Sequence, residues 1–231
     1  MPLRPILLVG LLVGSLPAAG QALDSTAAGD GPAARPGGLD ARLFYAVYDT
    51  QSPAFEALMR TANSAATPLF ALAVPVSGLG ALATGESAAA TGRLALSEIG
   101  AFGVIALGKF TIRRARPHAA LPDVVPRQRR PPSGLDPYSF PSGHSALAFA
   151  IATSTSLSYP EWYVIVPAYL WATSTATARL WFGMHYPSDT VVGALAGSGV
   201  ALLVHALTTG EDAEPDATLG AGPAFAFRIG L

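Results

Sequence analysis

Cysteine is absent from the 231 residues. That removes disulfide staples, thiolate metal sites and a cysteine nucleophile, and it leaves the redox compartment open. Charge is scarce as well: only 13% of residues are Asp, Glu, Lys or Arg, against about 25% in an ordinary soluble domain. The net charge is −1, so no global field draws a polyanion, and nucleic acid is not an expected partner. Lysine occurs once, at Lys109, and histidine four times. No repeat of solenoid or propeller period is visible.

Apolar residues fill the space that charge leaves. They make up 51% of the chain, with a mean hydropathy of +0.40, the composition of a membrane protein or an unusually buried helical bundle. The length suits one domain with a substantial core. Arg4, the apolar run from Ile6 to Leu16 and the small residues through Ala22 match the plan of a signal peptide or N-terminal anchor over 1–22. Either places the rest of the chain outside the cytoplasm. Residues 23–39 are small, polar and rich in Gly and Pro, and are read as a disordered linker.

From residue 40 the pattern is helical. Leu43, Phe44, Val47 and Tyr48, then Phe55, Leu58 and Met59, recur at the spacing of amphipathic helices lying against a surface. Five apolar blocks come next: 68–84, 94–108, 145–157, 163–178 and 190–207. Each is shorter than the roughly 20 residues of a straight span, so flanking turns must complete them. The expected fold is therefore all-α: a bundle of about five to six apolar helices over 40–208, membrane-embedded, with its active site at the external end. A soluble periplasmic bundle is the alternative, because the Ala, Gly, Ser and Thr in these blocks also suit tight packing in water. The tail over 209–231 is acidic and ends on Phe225, Phe227 and Ile229, an alternation suited to a short strand.

Threading successive blocks back and forth brings 109–144 and 179–189 to the same external side, and the rare polar residues lie there. Lys109 and Arg116, with Arg113 between them, are spaced to project from one helical face that Pro117 ends. Pro141-Ser142-Gly143-His144 precedes an apolar block, with Pro141 at the first helical position. There the free N–H groups of a helix start make an anion site. Gly143 lets an oxyanion approach the backbone, Ser142 adds a hydroxyl, and His144 stands over the bound group. Arg179 can hold phosphate with two parallel hydrogen bonds. Asp189, in the first turn of the last block, can accept a hydrogen bond from His185 and fix its tautomer. Taken singly, each cluster also reads as a snorkelling flank or a capped loop. Taken together, they supply three cations, two imidazoles and a carboxylate.

The order Lys-x6-Arg-Pro, Pro-Ser-Gly-His and Arg-x5-His-x3-Asp resembles the signature of the type 2 phosphatidic-acid phosphatase superfamily. That superfamily also contains bacterial acid phosphatases and vanadium-dependent haloperoxidases. The motifs cover 109–189, and the arrangement of blocks extends the likeness over about 40–208. The resemblance implies a phosphatase acting on phosphate monoesters or diphosphates, of lipids or of small periplasmic esters, through a phosphohistidine at His185. It implies His144 as general acid and base and Asp189 as the residue that orients His185. Lys109, Arg116, Ser142, Gly143 and Arg179 would hold phosphate, with no metal and no cofactor. It further implies a bacterial-type inner membrane with the site facing the periplasm. One departure is visible: Ala178 stands where the family usually has Ser. Substrate choice is expected in the loop 118–140 and the helices over 40–65.

Overall fold

A computed structural model describes residues 38–128 and 137–209. The signal or anchor over 1–22 and nearly all of the 23–39 linker lie outside the described residues, as does the tail beyond Thr209. Seven helices and no strands occur among the described residues: α1 (Leu39–Tyr48), α2 (Pro53–Thr84), α3 (Ala89–Ile112), α4 (Pro117–Ala120), α5 (Gly143–Ser158), α6 (Trp162–Trp181) and α7 (Pro187–Thr208). The all-α expectation holds, and α4 is a single turn.

Flanking turns lengthen the apolar blocks as anticipated. The second block, for instance, grows into the 24 residues of α3, about 36 Å at 1.5 Å per residue. The largest difference is α2. The surface helix expected around Phe55–Met59 and the block over 68–84 form one helix of 32 residues, continuous through Pro68 and Pro75. An apolar environment keeps helices intact through proline when neighbouring groups satisfy the freed carbonyls. Three helical stretches are long and apolar enough to cross a membrane: Pro53–Thr84, Ala89–Ala120 and Pro187–Thr208. Their outward faces carry Leu79, Leu82, Ile99, Leu107, Leu195 and Leu203, all largely exposed. Such continuous apolar surface is what lipid, rather than water, covers.

The 16-residue α5 spans only about 24 Å and occupies the centre, packed on α3, α6 and α7. Ala146, Ala148, Ala150 and Ala152 are fully buried along it. Small residues permit this, because backbones can approach closely where side chains are short. The limit is reached against α7. A Cβ on Gly193 would stand 2.5 Å from the Ser142 carbonyl oxygen, and one on Gly197 would stand 2.0 Å from the Ala146 carbonyl oxygen. Neither neighbour is a side chain that can swing away. These two glycines set the distance between α5, capped by Ser142, and the helix that carries Asp189. Gly197→Ala should therefore lower thermal stability in detergent by about 1–3 kcal/mol, the usual cost of overpacking, and Gly197→Leu should prevent folding. A melting curve for Gly197→Ala that overlays the wild type would contradict this packing.

Candidate active site

The C-terminal end of α3, the start of α5, the end of α6 and the start of α7 meet at one end of the bundle. Lys109, Arg116, Ser142, Arg179, His185 and Asp189 are all buried there, in a chain that buries few other charges. Arg179, Arg116 and Lys109 each lie close enough to His144 to act on it electrostatically, as does His185. The structure thus brings all eight sequence-predicted residues to one locality.

The route by which they arrive differs from the expected one. Lys109 and Arg116 do not share a helix. α3 stops at Ile112, Arg113 takes a left-handed conformation (φ 50°) and closes the helix through its N–H to the Lys109 carbonyl. Arg116 is then the extended residue ahead of α4. The break turns the chain back, so that Arg116 reaches His185 while the Lys109 ammonium donates to the Tyr138 carbonyl at 2.8 Å. Arg113 does not join them; its Nε donates to the Phe110 carbonyl, 3.0 Å away. His118 bonds the Gly183 carbonyl at 3.1 Å through Nδ1. Gly183 itself has φ +74°, a conformation that favours glycine, and its turn releases Met184 and His185 from the end of α6.

α5 begins at Gly143, not at Pro141. Ser142 is the cap, its hydroxyl accepting from the Ser145 N–H and its own N–H donating to the Asp189 carbonyl at 2.9 Å. A Cβ on Gly143 would meet only Ile105, at 3.6 Å. Gly143 and His144 face a cavity of about 450 Å³, also lined by Lys109, Phe70, Phe102, Ile105, Phe110 and Leu147. Lys109 and His144 stand in a lining that is otherwise largely apolar.

His185 is the most constrained member. Its Nδ1 lies 2.7 Å from the Ser139 carbonyl oxygen. A carbonyl only accepts, so Nδ1 carries the hydrogen. The Nε2 lone pair then faces Arg116, whose guanidinium donates to it at 3.3 Å and to the Met184 carbonyl at 3.1 Å. The expected hydrogen bond from His185 to Asp189 is replaced by this carbonyl bond, with Asp189 Oδ2 at 3.8 Å from Nδ1. Asp189 acts through its neighbours instead. Oδ2 accepts from the Tyr186 N–H at 2.7 Å and from the Ser139 hydroxyl, and Oδ1 accepts from Arg114 at 2.7 Å.

Sequence reasoning missed Ser139 and Arg114, and three further contributors as well. Asp40, in the first turn of α1, takes the other side of Arg114 at 2.6 Å and both the N–H and the hydroxyl of Ser188. Asn63 on α2 accepts from Arg179 at 2.5 Å, and Gln128 accepts from it at 3.4 Å. A lone Asn or Gln carries no spacing signal. Asp40 had one faint mark, an acidic residue in the first turn of a helix. Ala178, the departure from the motif, packs in an apolar cluster with Met59, Ala62, Trp181 and Phe182.

The family model described as the PAP2 superfamily matches residues 90–212, more than half of the chain. The chain belongs to the PAP2 superfamily. It is 35% identical over 60 residues to a lipid A 4'-phosphatase of Bacteroides thetaiotaomicron, covering 26% of this chain and 27% of that one. To an undecaprenyl-diphosphatase of Sulfolobus acidocaldarius it is 33% identical over 66 residues, covering 29% and 32%. The match thus spans about a third or less of either relative's length. Among solved structures it is similar to LpxE of Aquifex aeolicus, with a TM-score of 0.60 at 23% identity over 74% of this chain and 97% of that one. The PAP2 fold is therefore shared well beyond the motifs.

Burial draws the His185 pKa down to about 3 from 6.5, and Arg116 and Arg179 act in the same direction while Asp189 opposes them. The folded chain thus holds His185 neutral where an unfolded chain would protonate it. The stability this contributes is complete above about pH 6.5 and is lost as pH falls from there towards 3. Thermal unfolding in detergent should show this decline, and His185→Gln should flatten it. A wild-type midpoint with the same acid dependence as His185→Gln would rule the effect out.

Proposed function

We propose that this chain is a phosphatase that hydrolyses phosphate monoester or diphosphate groups of membrane lipids through a phosphohistidine at His185. The observation that carries the reading is the Ser139 carbonyl on His185 Nδ1. It leaves an unprotonated Nε2 facing the buried guanidinium of Arg116, while the cavity that Lys109, Gly143 and His144 line has otherwise largely apolar walls.

The chemistry rests on those positions. A phosphoryl group held by Lys109, Arg116, Arg179, the Ser142 hydroxyl and the Gly143 N–H would displace Arg116 from Nε2 onto a phosphate oxygen. Nε2 attacks phosphorus as the bond to the leaving oxygen breaks, and His144 gives that oxygen its proton. The imidazolium so formed keeps its Nδ1–H on Ser139, with the Asp189 charge 3.8 Å away. Water then attacks phosphorus, His144 takes its proton, and inorganic phosphate leaves. Fixed guanidinium and ammonium groups stabilise the equatorial oxygens in both steps. No step calls for a metal ion or a cofactor.

The apolar walls of the cavity suit an alkyl or prenyl chain, and the exposed apolar faces of α2, α3 and α7 suit a bilayer. Both favour a lipid substrate over the small esters of a soluble periplasmic enzyme. They also suit an inner-membrane protein whose site opens to the periplasm. The names of the relatives, a lipid A 4'-phosphatase and an undecaprenyl-diphosphatase, point the same way.

Purified in detergent, the protein should release phosphate from phosphatidic acid or a polyprenyl diphosphate. His185→Ala should lose at least about 10³-fold in kcat, as removal of a nucleophile does. Acid-labile, alkali-stable label from a radiolabelled substrate should appear on the wild type alone. Full activity in His185→Ala would end the proposal, and partition of the folded chain into the aqueous fraction would return it to the soluble alternative.

A further inference from the structure

The ring of His144 makes no hydrogen bond among the described residues; its close neighbour is Phe70, edge-on at 5.6 Å. A general acid needs one ring nitrogen held so that the other faces the leaving oxygen. His185 has the Ser139 carbonyl for that purpose.

Thr175 is fully buried, and its hydroxyl has no hydrogen-bond partner. Its level in the bundle is fixed from two sides. On α6 it lies midway between Trp171 and Arg179, one turn from each. Trp171 packs edge-on against Phe70 at 6.0 Å, and Arg179 bonds Asn63 at 2.5 Å. Thr175 therefore sits level with the turn of α2 between Asn63 and Phe70, where Ala66 is fully buried. From the other side, Ala148 and Ala152 of α5 share one cluster with Ala172 of α6, together with Phe70 and Trp171. α5 and α6 run antiparallel, so one turn towards the site from Ala148 is His144, and one turn towards it from Ala172 is the level of Thr175. His144 and Thr175 therefore lie at the level where α2, α5 and α6 meet. A threonine in a helix ordinarily returns its hydroxyl to the carbonyl four residues back. Thr175 does not, and a buried hydroxyl without a partner costs stability unless it serves a purpose.

We propose that Thr175 is a positioning residue for His144, its hydroxyl linked across one water to the ring nitrogen that faces away from the phosphoryl group. The proposal rests on the reading of His144 as general acid. A merely structural Thr175 makes the opposite forecast. Replacing an unpartnered buried hydroxyl by a methyl group should then be neutral or stabilising, with activity intact.

The test compares Thr175→Val and Thr175→Ser on two substrates, using kcat/KM, which reports only steps through release of the alcohol. Phosphatidic acid has a poor leaving group that needs protonation. p-Nitrophenyl phosphate has one that does not. In Thr175→Val the ratio of kcat/KM on phosphatidic acid to that on p-nitrophenyl phosphate should fall at least about tenfold, a fraction of what a general acid contributes. Thr175→Ser should restore it. An unchanged ratio would overturn the proposal, whether both activities hold or fall together. Nitrogen NMR of the His144 ring adds a readout free of turnover: one tautomer in the wild type and in Thr175→Ser, a mixture in Thr175→Val. The same spectrum in all three proteins would also overturn it. A wild type with a fixed tautomer and no phosphatase activity would refute the phosphatase reading and leave the Thr175–His144 link standing.

Discussion

The fully buried carboxylate of Asp189 constrains the rest of the site. A charge removed from water must be matched by donors, and each donor matched to Asp189 comes from a different part of the chain. The Tyr186 N–H ties it to the start of its own helix. The Ser139 hydroxyl ties it to the segment before α5, and Arg114 ties it to the turn after α3. Arg114 in turn stacks over Tyr186 at 3.9 Å and pairs with Asp40 of α1. One buried charge thus gathers four segments, and the carbonyl that fixes His185 belongs to the same Ser139 whose hydroxyl the carboxylate holds. Asp189 governs His185 by placing its partner. Removing a buried charge's partner costs about 3–5 kcal/mol, so Ser139, Arg114 and Asp189 hold one another in place.

A second chain of contacts starts from α1 and ends on Arg179. Tyr48 bonds the backbone of Val125 in both directions, at 2.9 and 3.0 Å, and Tyr45 bonds Asp123 at 2.6 Å. Arg127 is held between the rings of Tyr48 and Trp181 and donates to the Trp181 carbonyl. The next residue, Gln128, reaches Arg179. The amphipathic helix that reads from sequence as a surface feature is therefore a clamp. It grips the start of α7 through Asp40 and the loop after α4 through its tyrosines, and both grips end on site residues.

How much of the molecule is legible in its sequence depends on the kind of interaction involved. The site residues were legible because rare polar groups in an apolar chain are costly and fall in a recognisable order. Helix identity was legible for the same reason in reverse, since long apolar runs leave little choice of structure. Boundaries were not. Lys109 and Arg116 fit one helical face by spacing, yet Arg113 adopts a left-handed turn between them that no residue type announces. Pro68 stood at the start of an expected block, but α2 runs through it. The Asp189–His185 hydrogen bond was inferred from four-residue spacing and gave way to a carbonyl from 46 residues away. Asn63, Gln128 and Asp40 act across long separations, and single polar residues at such distances leave no periodic trace.

The site is graded, and the grading argues for how a lipid would meet it. Cations and the two imidazoles occupy one end of the bundle, where the helix start at Ser142 and the ends of α3 and α6 converge. Below Gly143 and His144 the cavity wall becomes Phe70, Phe102, Ile105, Phe110 and Leu147. A phosphate entering from the polar end has its charge neutralised before any chain is buried. A chain lying along Phe102 and Phe110 meets side chains that also face the bilayer, since both are largely exposed on α3. On the proposed reading, a lipid would slide from the bilayer into the cavity without exposing its tail to water, and only its headgroup would shed hydration. The cost of that dehydration would fall on the fixed cations, which are buried and already held by carbonyl and amide oxygens.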